Sequence, residues 1–304
     1  MKLLYFLICI LLISCEVSTS KSSEESDLEP VEEKNNWLED IENLGKKAWK
    51  EGEKYTEKLK QIEINGFSVD DDIKLGKQLD EELKSSSEYN LLSRNSNPQL
   101  YSYLEGIRNT ILENGEFRYR DKFEWKLTVI DDDETVNAFC APGGYIYIYT
   151  GILRYLDNEA ELAGVLAHEM GHAERRHGTR QMTKSLGIKA ILDFLTGGSE
   201  SSYYKEVING LISLRYSRHY EREADECSVK YLCSSEYKSD GAAGFFEKIL
   251  KEEGDRSSEL LSTHPDPAER ISNFHASRKK MQCTGNENYT DRYLKMKKSL
   301  YYNR

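Results

Sequence analysis

Positive charge is in short supply in this chain. Its 304 residues carry 42 Lys and Arg against 53 Asp and Glu, a formal net charge of −11. That balance argues against nucleic acid as a partner. Long apolar runs are missing too. The two candidates, residues 3–13 and 186–195, are eleven and about ten residues long, and a bilayer-spanning helix needs about 20. A multi-span membrane protein is therefore not expected. No internal repeat is visible, and the acidic run Asp131-Asp132-Asp133 lacks the ligand spacing of a calcium loop, so it reads as a solvated turn. At 31% charged and 38% hydrophobic, the chain has room for one sizeable globular domain with an appendage.

What is there begins with a leader. Met1-Lys2, the apolar run 3–13 and then Ser14-Cys15 have the proportions of a signal peptide. Leu12-Ile13-Ser14-Cys15 also resembles a bacterial lipobox, which implies cleavage before Cys15 and acylation of its thiol. Lipid there would anchor the protein to a membrane without spanning it. Residues 1–14 are thus expected to be a lipoprotein signal. Residues 15–35, rich in Ser and Glu and free of aromatics, are expected to be a disordered acidic tether, and 36–66 a helical lead-in. Four cysteines remain after Cys9 and Cys15 are set aside: Cys140, Cys227, Cys233 and Cys283. They allow three full pairings. Cys233 with Cys283 is the expected pair, with Cys140 as a free thiol.

Helical periodicity predicts helices over 69–85, entered through Asp70-Asp71-Asp72, and from Pro98, with Leu100, Tyr103, Leu104, Ile107, Ile111 and Leu112 as its apolar stripe. Alternation and β-formers predict strands at 123–130, 135–140 and 145–150, joined as a small antiparallel sheet. Asn158 suits a helix cap, and residues 159–176 read as the helix it opens. Residues 203–233 read as one long helix, and 267–278 as another. The last 24 residues, 281–304, are expected to form a basic helix or tail. Tyr289, Tyr293, Met296 and Leu300 line one side of it, either packed on the domain or facing anionic lipid.

The helix at 159–176 carries His168-Glu169-Met170-Gly171-His172. Residues four apart share a helical face, so His168 and His172 can offer two imidazoles to one metal ion. Glu169 lies one step round, where a carboxylate can take a proton from water and pass it to a leaving amine. This is the HExxH zinc-hydrolase pattern. A catalytic zinc needs a third protein ligand and one open position. Glu221 is the natural third ligand. Asp225, four residues on, can hold a ligand histidine in the right tautomer. Glu223 points away from that face. His177, five residues past His172, is expected to be structural.

Five segments stand in a distinctive order: Asn137-Ala138-Phe139-Cys140-Ala141-Pro142-Gly143-Gly144, then Tyr149-Thr150-Gly151, then HEMGH, then Ser217-Arg218 with Glu221 and Asp225, then Ser262-Thr263-His264-Pro265 with Glu269-Arg270. This order resembles the zinc metalloendopeptidase family that contains the HtpX heat-shock protease and the CAAX prenyl protease. The soluble, lipid-anchored periplasmic branch with BepA and LoiP fits best. The similarity covers roughly residues 69–277. It implies an α+β, mostly helical gluzincin (zincin-like) domain over 67–280, with a short antiparallel sheet beside the HExxH helix. It implies one zinc ion on His168, His172 and Glu221, with Glu169 as general base. Asp225 corresponds to a supporting acid. His264 corresponds to an oxyanion stabiliser or an extra zinc ligand. Arg270 and the strand at Asn137 correspond to substrate-binding elements. Cys140 departs from the small apolar residue usual in that strand. The implied activity is endoproteolysis of misfolded or misassembled envelope proteins in a bacterial periplasm or at its exterior. Its partners are protein substrates and, through Cys15, a membrane. The rival reading is a non-catalytic metal-binding lipoprotein acting as a chaperone-like or adhesive module.

Overall fold

The computed structural model describes residues 65–185, 210, 215–251, 264 and 267–302. The leader, the tether, Cys15, the lead-in up to residue 64 and the segment 186–202 lie outside the described residues. All that is described falls in one unit, Lys60–Arg304.

Helix α1, Val69–Ser85, starts where Ser68 and Asp71 cap each other. Ser68 Oγ accepts the Asp71 amide at 3.2 Å, and the Asp71 carboxylate accepts the Ser68 amide at 2.8 Å. This reciprocal capping box satisfies two amides that the first turn cannot. Helix α2, Pro98–Asn114, begins with Pro at its first turn, where no intrahelical donor is lost. Its stripe of Leu100, Leu104, Ile107 and Ile111 is buried as the spacing predicts.

Three strands follow: β1, Lys126–Ile130; β2, Ala138–Ala141; and β3, Tyr145–Tyr149. Their order is β1-β3-β2. β2 and β3 are antiparallel, but β1 runs parallel to β3, with Leu127 opposite Ile146. The sheet is therefore mixed, which corrects the expected antiparallel one. The tight turn at Pro142–Gly144 returns the chain directly, using positive φ at Gly143 (75°) and Gly144 (83°), where a side chain would be strained. The 131–137 connection instead carries the chain past β3, so β3 becomes the central strand. In that connection Asp132 accepts the amides of Glu134 at 2.9 Å and Thr135 at 3.2 Å. Such a side-chain-to-backbone turn gives the acidic run a structural role. One face of β3, Ile146 and Ile148, joins the main core; the other, Tyr145, Tyr147 and Tyr149, packs with Leu79 and Leu83 of α1.

Beyond the sheet, short helix α3 spans Thr150–Tyr155, and α4 spans Glu159–Glu174 with every residue buried. Asn158 caps α4 by accepting the Glu161 amide at 3.1 Å. Arg176, at φ 57°, turns the chain, and residues 177–185 are helical again. Helix α5 is Arg218–Leu232. The expected single helix over 203–233 is interrupted: residues 215–217 are non-helical, and Ser217 is the cap, accepting the Tyr220 amide at 3.3 Å, while 203–209 and 211–214 lie outside the described residues. Helices α6, Ala242–Lys251, α7, Pro267–Met281, and α8, Thr290–Tyr302, follow among the described residues. Basic α8 buries Tyr293, Met296 and Leu300 against the domain, and Tyr293 donates to the Leu153 carbonyl at 2.6 Å. No described helix is long and apolar enough to cross a membrane.

Two features set stability. Cys233 and Cys283 form a disulfide across 50 residues of chain, joining the ends of α5 and α7, while Cys140 and Cys227 are free and buried. Closing a loop of that size is worth up to about 4 kcal/mol in the chain-entropy account. Cys283→Ser should lower unfolding free energy by about 2–4 kcal/mol in urea titrations. Asp80 is buried and accepts bonds from Lys84 at 2.6 Å, Lys126 at 2.5 Å and the Tyr147 hydroxyl at 3.2 Å. Burial alone would raise its carboxyl, but the bonds from Lys126 and Lys84 outweigh burial and hold it below the usual range. A depressed carboxylate stabilises fully above its unfolded pKa of about 4 and loses that contribution as pH falls through its lower folded value. Asp80→Asn should cost about 1–3 kcal/mol at neutral pH. The gap to the parent should shrink in thermal melts taken below pH 4.

Candidate metal centre

Helix α4 presents His168 and His172 from one face, as residues four apart must be. Their Nε2 atoms approach to 3.0 Å. Helix α5 brings in Glu221, whose carboxylate lies 3.6 Å from His168 Nε2 and 3.5 Å from His172 Nε2. Three donors at about 2.0–2.1 Å in tetrahedral array stand about 3.3 Å apart. The observed triangle has that size, so these three side chains fit one zinc-sized ion. All three are nearly inaccessible.

His264 adds a fourth donor. Its Nδ1 lies 3.0 Å and 3.1 Å from the two Glu221 oxygens, and its Nε2 lies 3.6 Å from a Glu169 oxygen. His168, His172, Glu221 and His264 all offer ligand atoms within 4.8 Å of one another, a group of side chains that could hold a metal ion.

Charge in the cluster is arranged around Arg270. Its guanidinium bonds Asp225 through Nε and Nη2, the latter at 2.5 Å, and Nη1 reaches Glu221 at 3.1 Å. The same Asp225 oxygen meets His168 Nδ1 at 2.9 Å. That contact leaves His168 Nε2 as the ring nitrogen with a lone pair toward the other donors. Burial would raise the Glu221 carboxyl, but His264 and Arg270 outweigh it, and the group is held well below the usual carboxylate range. Burial pushes both helix imidazoles down, His172 to about 3. Deprotonated imidazoles beside an ionised carboxylate are the protonation states a cation requires.

Glu169 sits beside this group. Burial pushes its carboxyl up to about 7, against the opposing pull of His264, and the backbone amide of Cys140 donates to it. Asp225 is likewise pushed up, to about 6, by burial, against the pull of Arg270. Burial raises the Cys140 thiol well above its ordinary value. Cys140 lies on β2, which among the described residues pairs only with β3 and so forms an edge of the sheet. Asn137, just before β2, is buried: its carbonyl accepts the Tyr149 amide at 3.2 Å, and its side chain accepts the Ala138 amide at 2.9 Å. An apolar cleft opens beside His168 and Glu169, walled by Val165, Ala242, Phe245, Phe246 and Phe274.

Every sequence-predicted residue of the domain thus meets in one place, except Asn137, which lies at the entry to the neighbouring strand; Cys15 lies outside the described residues. Sequence reasoning missed two partners of His172. Tyr216 stacks on its ring at 4.0 Å between centroids. His177 Nδ1 lies 2.9 Å from His172 Nδ1, and His177 Nε2 lies 3.1 Å from Glu223. Unbroken helical spacing would turn His177, five residues past His172, away from the face that carries His168 and His172. The left-handed residue Arg176 breaks the wheel and brings the ring back behind His172.

Comparison with known proteins agrees with this geometry. Residues 98–278 match peptidase family M48. The chain is 36% identical to the mitochondrial metalloendopeptidase OMA1 of Arabidopsis thaliana over 154 residues, 48% of this chain and 30% of that protein. It is 33% identical to the metalloprotease LoiP of Escherichia coli over 142 residues, 44% of this chain and 56% of the relative. With the beta-barrel assembly-enhancing protease of Escherichia coli it shares 25% over 219 residues, 67% of this chain and 44% of that one. The matches thus span between about a third and about half of these relatives' lengths. With a family match over more than half its residues and the donor cluster of that match assembled, the chain belongs to peptidase family M48.

Proposed function

We propose that this protein is a zinc-dependent metalloendopeptidase. The observation that carries the reading is the triangle of His168, His172 and Glu221, drawn from two helices and sized for one ion. These three residues would hold the zinc. When bound, zinc supplies Lewis acidity to the scissile carbonyl and to the attacking water. Glu169 takes the proton of that water, and a carboxyl near neutrality suits both uptake and release. It then delivers the proton to the leaving amine nitrogen. Asp225 fixes the His168 ring, and Arg270 holds Asp225 and Glu221 in register. His264 contributes a donor toward negative charge developing on the carbonyl oxygen. The outer edge of β2, which no other strand among the described residues pairs and which has Asn137 at its start, suits an extended substrate backbone added as a further strand. Arg270 is the other residue that the resemblance assigns to substrate.

We also propose a lipid anchor at Cys15 and residence in a bacterial cell envelope, on the lipobox-like leader and on the relatives' names, one of them a beta-barrel assembly-enhancing protease. Misfolded or misassembled envelope proteins are the substrates this reading favours. One observation favours a second reading. His264 lies against Glu221, and a fourth protein ligand would close the site into a structural one. Casein digestion by His264→Ala separates the two. Cleavage by the parent that falls by at least about 10²-fold in His264→Ala fits the protease with His264 as a donor, whereas no activity in either protein at full zinc occupancy fits the structural site.

Glu169→Gln should keep about one zinc per chain by metal analysis and lose at least about 10²-fold in casein cleavage. Removing metal with a chelator should abolish cleavage, and added zinc should restore it. Arg270→Ala leaves buried Asp225 and Glu221 without their cation, so it should destabilise the fold by about 3–5 kcal/mol. Chemical denaturation of the metal-free protein reads that loss, and Arg270→Lys should recover only part of it, because an ammonium lacks the fork that spans both carboxylates.

A further inference from the structure

The two imidazoles of the HEMGH helix are held from behind in different ways. His168 meets a carboxylate directly, Asp225 at 2.9 Å. His172 meets another imidazole, His177. The bonding arithmetic behind His172 is closed. Glu223, as a carboxylate, only accepts, so His177 Nε2 at 3.1 Å carries the proton. A neutral His177 then has a bare Nδ1. That nitrogen lies 2.9 Å from His172 Nδ1, and two facing ring nitrogens at hydrogen-bond distance need one proton between them. It therefore belongs to His172 Nδ1, and His172 Nε2 is left with its lone pair pointing at His168 and Glu221.

We infer that His177 and Glu223 are positioning residues, a relay from a carboxylate through one imidazole to the next that fixes the tautomer and angle of His172 for metal binding. The inference rests on the metal site proposed above. Packing keeps the relay in line. Tyr220 stacks on His177 at 4.3 Å and Tyr216 on His172 at 4.0 Å, so neither ring can swing out of the line. Arg175 Nε lies 3.2 Å from the other Glu223 oxygen and orients the carboxylate. The far end of the relay is the only half-exposed part: the Glu223 side chain is 26% accessible, while those of His177 and His172 are fully buried. The relay thus joins a buried donor to a carboxylate at the surface, whereas His168 is held by a wholly interior pair.

The experiment is zinc affinity by competition with a chromogenic chelator, on the full chain and two variants. His177→Phe keeps a flat ring against Tyr220 but loses both nitrogens. Glu223→Leu removes the terminal acceptor at a position whose side chain is 26% accessible. Loss of an outer partner of a metal-binding histidine typically weakens affinity about 10–100-fold. We expect a loss of that size in His177→Phe and a smaller one, at least about threefold, in Glu223→Leu, with thermal unfolding of the metal-free proteins reported alongside. Parent-like affinity in either folded variant overturns the relay. A second readout is independent of zinc. Nitrogen-15 imidazole spectra of the metal-free protein should show His177 protonated at Nε2 and His172 at Nδ1. The opposite tautomer at either ring overturns the inference. Failure of the parent itself to bind zinc would instead overturn the proposed function, and the spectra would still decide the relay.

Discussion

The contact between α4 and α5 is the constraint on which the rest of this structure depends. It is the only means by which a His pair at 168 and 172 meets carboxylates some fifty residues downstream. The contact is close because of what α4 lacks. At Gly171 a Cβ would come within 3.0 Å of the Cys227 Cβ on α5, and at Gly164 one would come within 2.7 Å of the Ala242 backbone, where α6 begins and packs on the same helix. Ser228 also crosses the interface, donating to the Gly164 carbonyl at 2.8 Å. A helix tolerates glycine at a cost of about 1 kcal/mol each. Here the cost accompanies an approach that no larger residue permits without displacing a neighbour.

Once the helices are locked, the site becomes an electrostatic problem in a dry interior. Three carboxylates, Glu169, Glu221 and Asp225, share this site with almost no access to water. Arg270 is the fixed cation among them, and its fork lets it serve Glu221 and Asp225 together. The three acids are thereby driven apart. Glu221 is held ionised, while burial pushes Glu169 and Asp225 toward neutrality. Groups of one chemical type with separated proton affinities are the usual arrangement where ligand and proton-transfer roles must coexist.

The outer parts of the domain act as a frame around this core. The start of α4 is pinned by its Glu159 side chain, which accepts bonds from Tyr103, Tyr237 and Arg292 of α8. The Asn288 carbonyl accepts the first two amides of α4. The disulfide then ties the ends of α5 and α7, the two helices that supply Glu221, Asp225 and Arg270. The C-terminal basic segment is thus a structural member as far as its buried side shows.

Much of this was legible before any coordinates. Helix α1 and the strands β1 and β3 lie where periodicity and β-propensity put them, and Asn158 and Pro98 act at helix starts as their chemistry suggests. Helix α5 begins at Arg218 and does not run through residues 215–217; a composition that suits a helix does not reveal a cap at Ser217. Strand order was beyond reach, since alternation tells which face of a strand is buried but not which neighbour it pairs with. The HExxH spacing and the downstream Glu221-to-Asp225 spacing each define a face by local geometry, so the sequence by itself determined which side chains could bind a metal together. Only the tertiary structure decided that the two faces meet, that Arg270 lies between the carboxylates, and that His177 returns behind His172. Those are contacts between residues up to a hundred positions apart, made by close packing and one left-handed turn, and no local pattern in the chain encodes them.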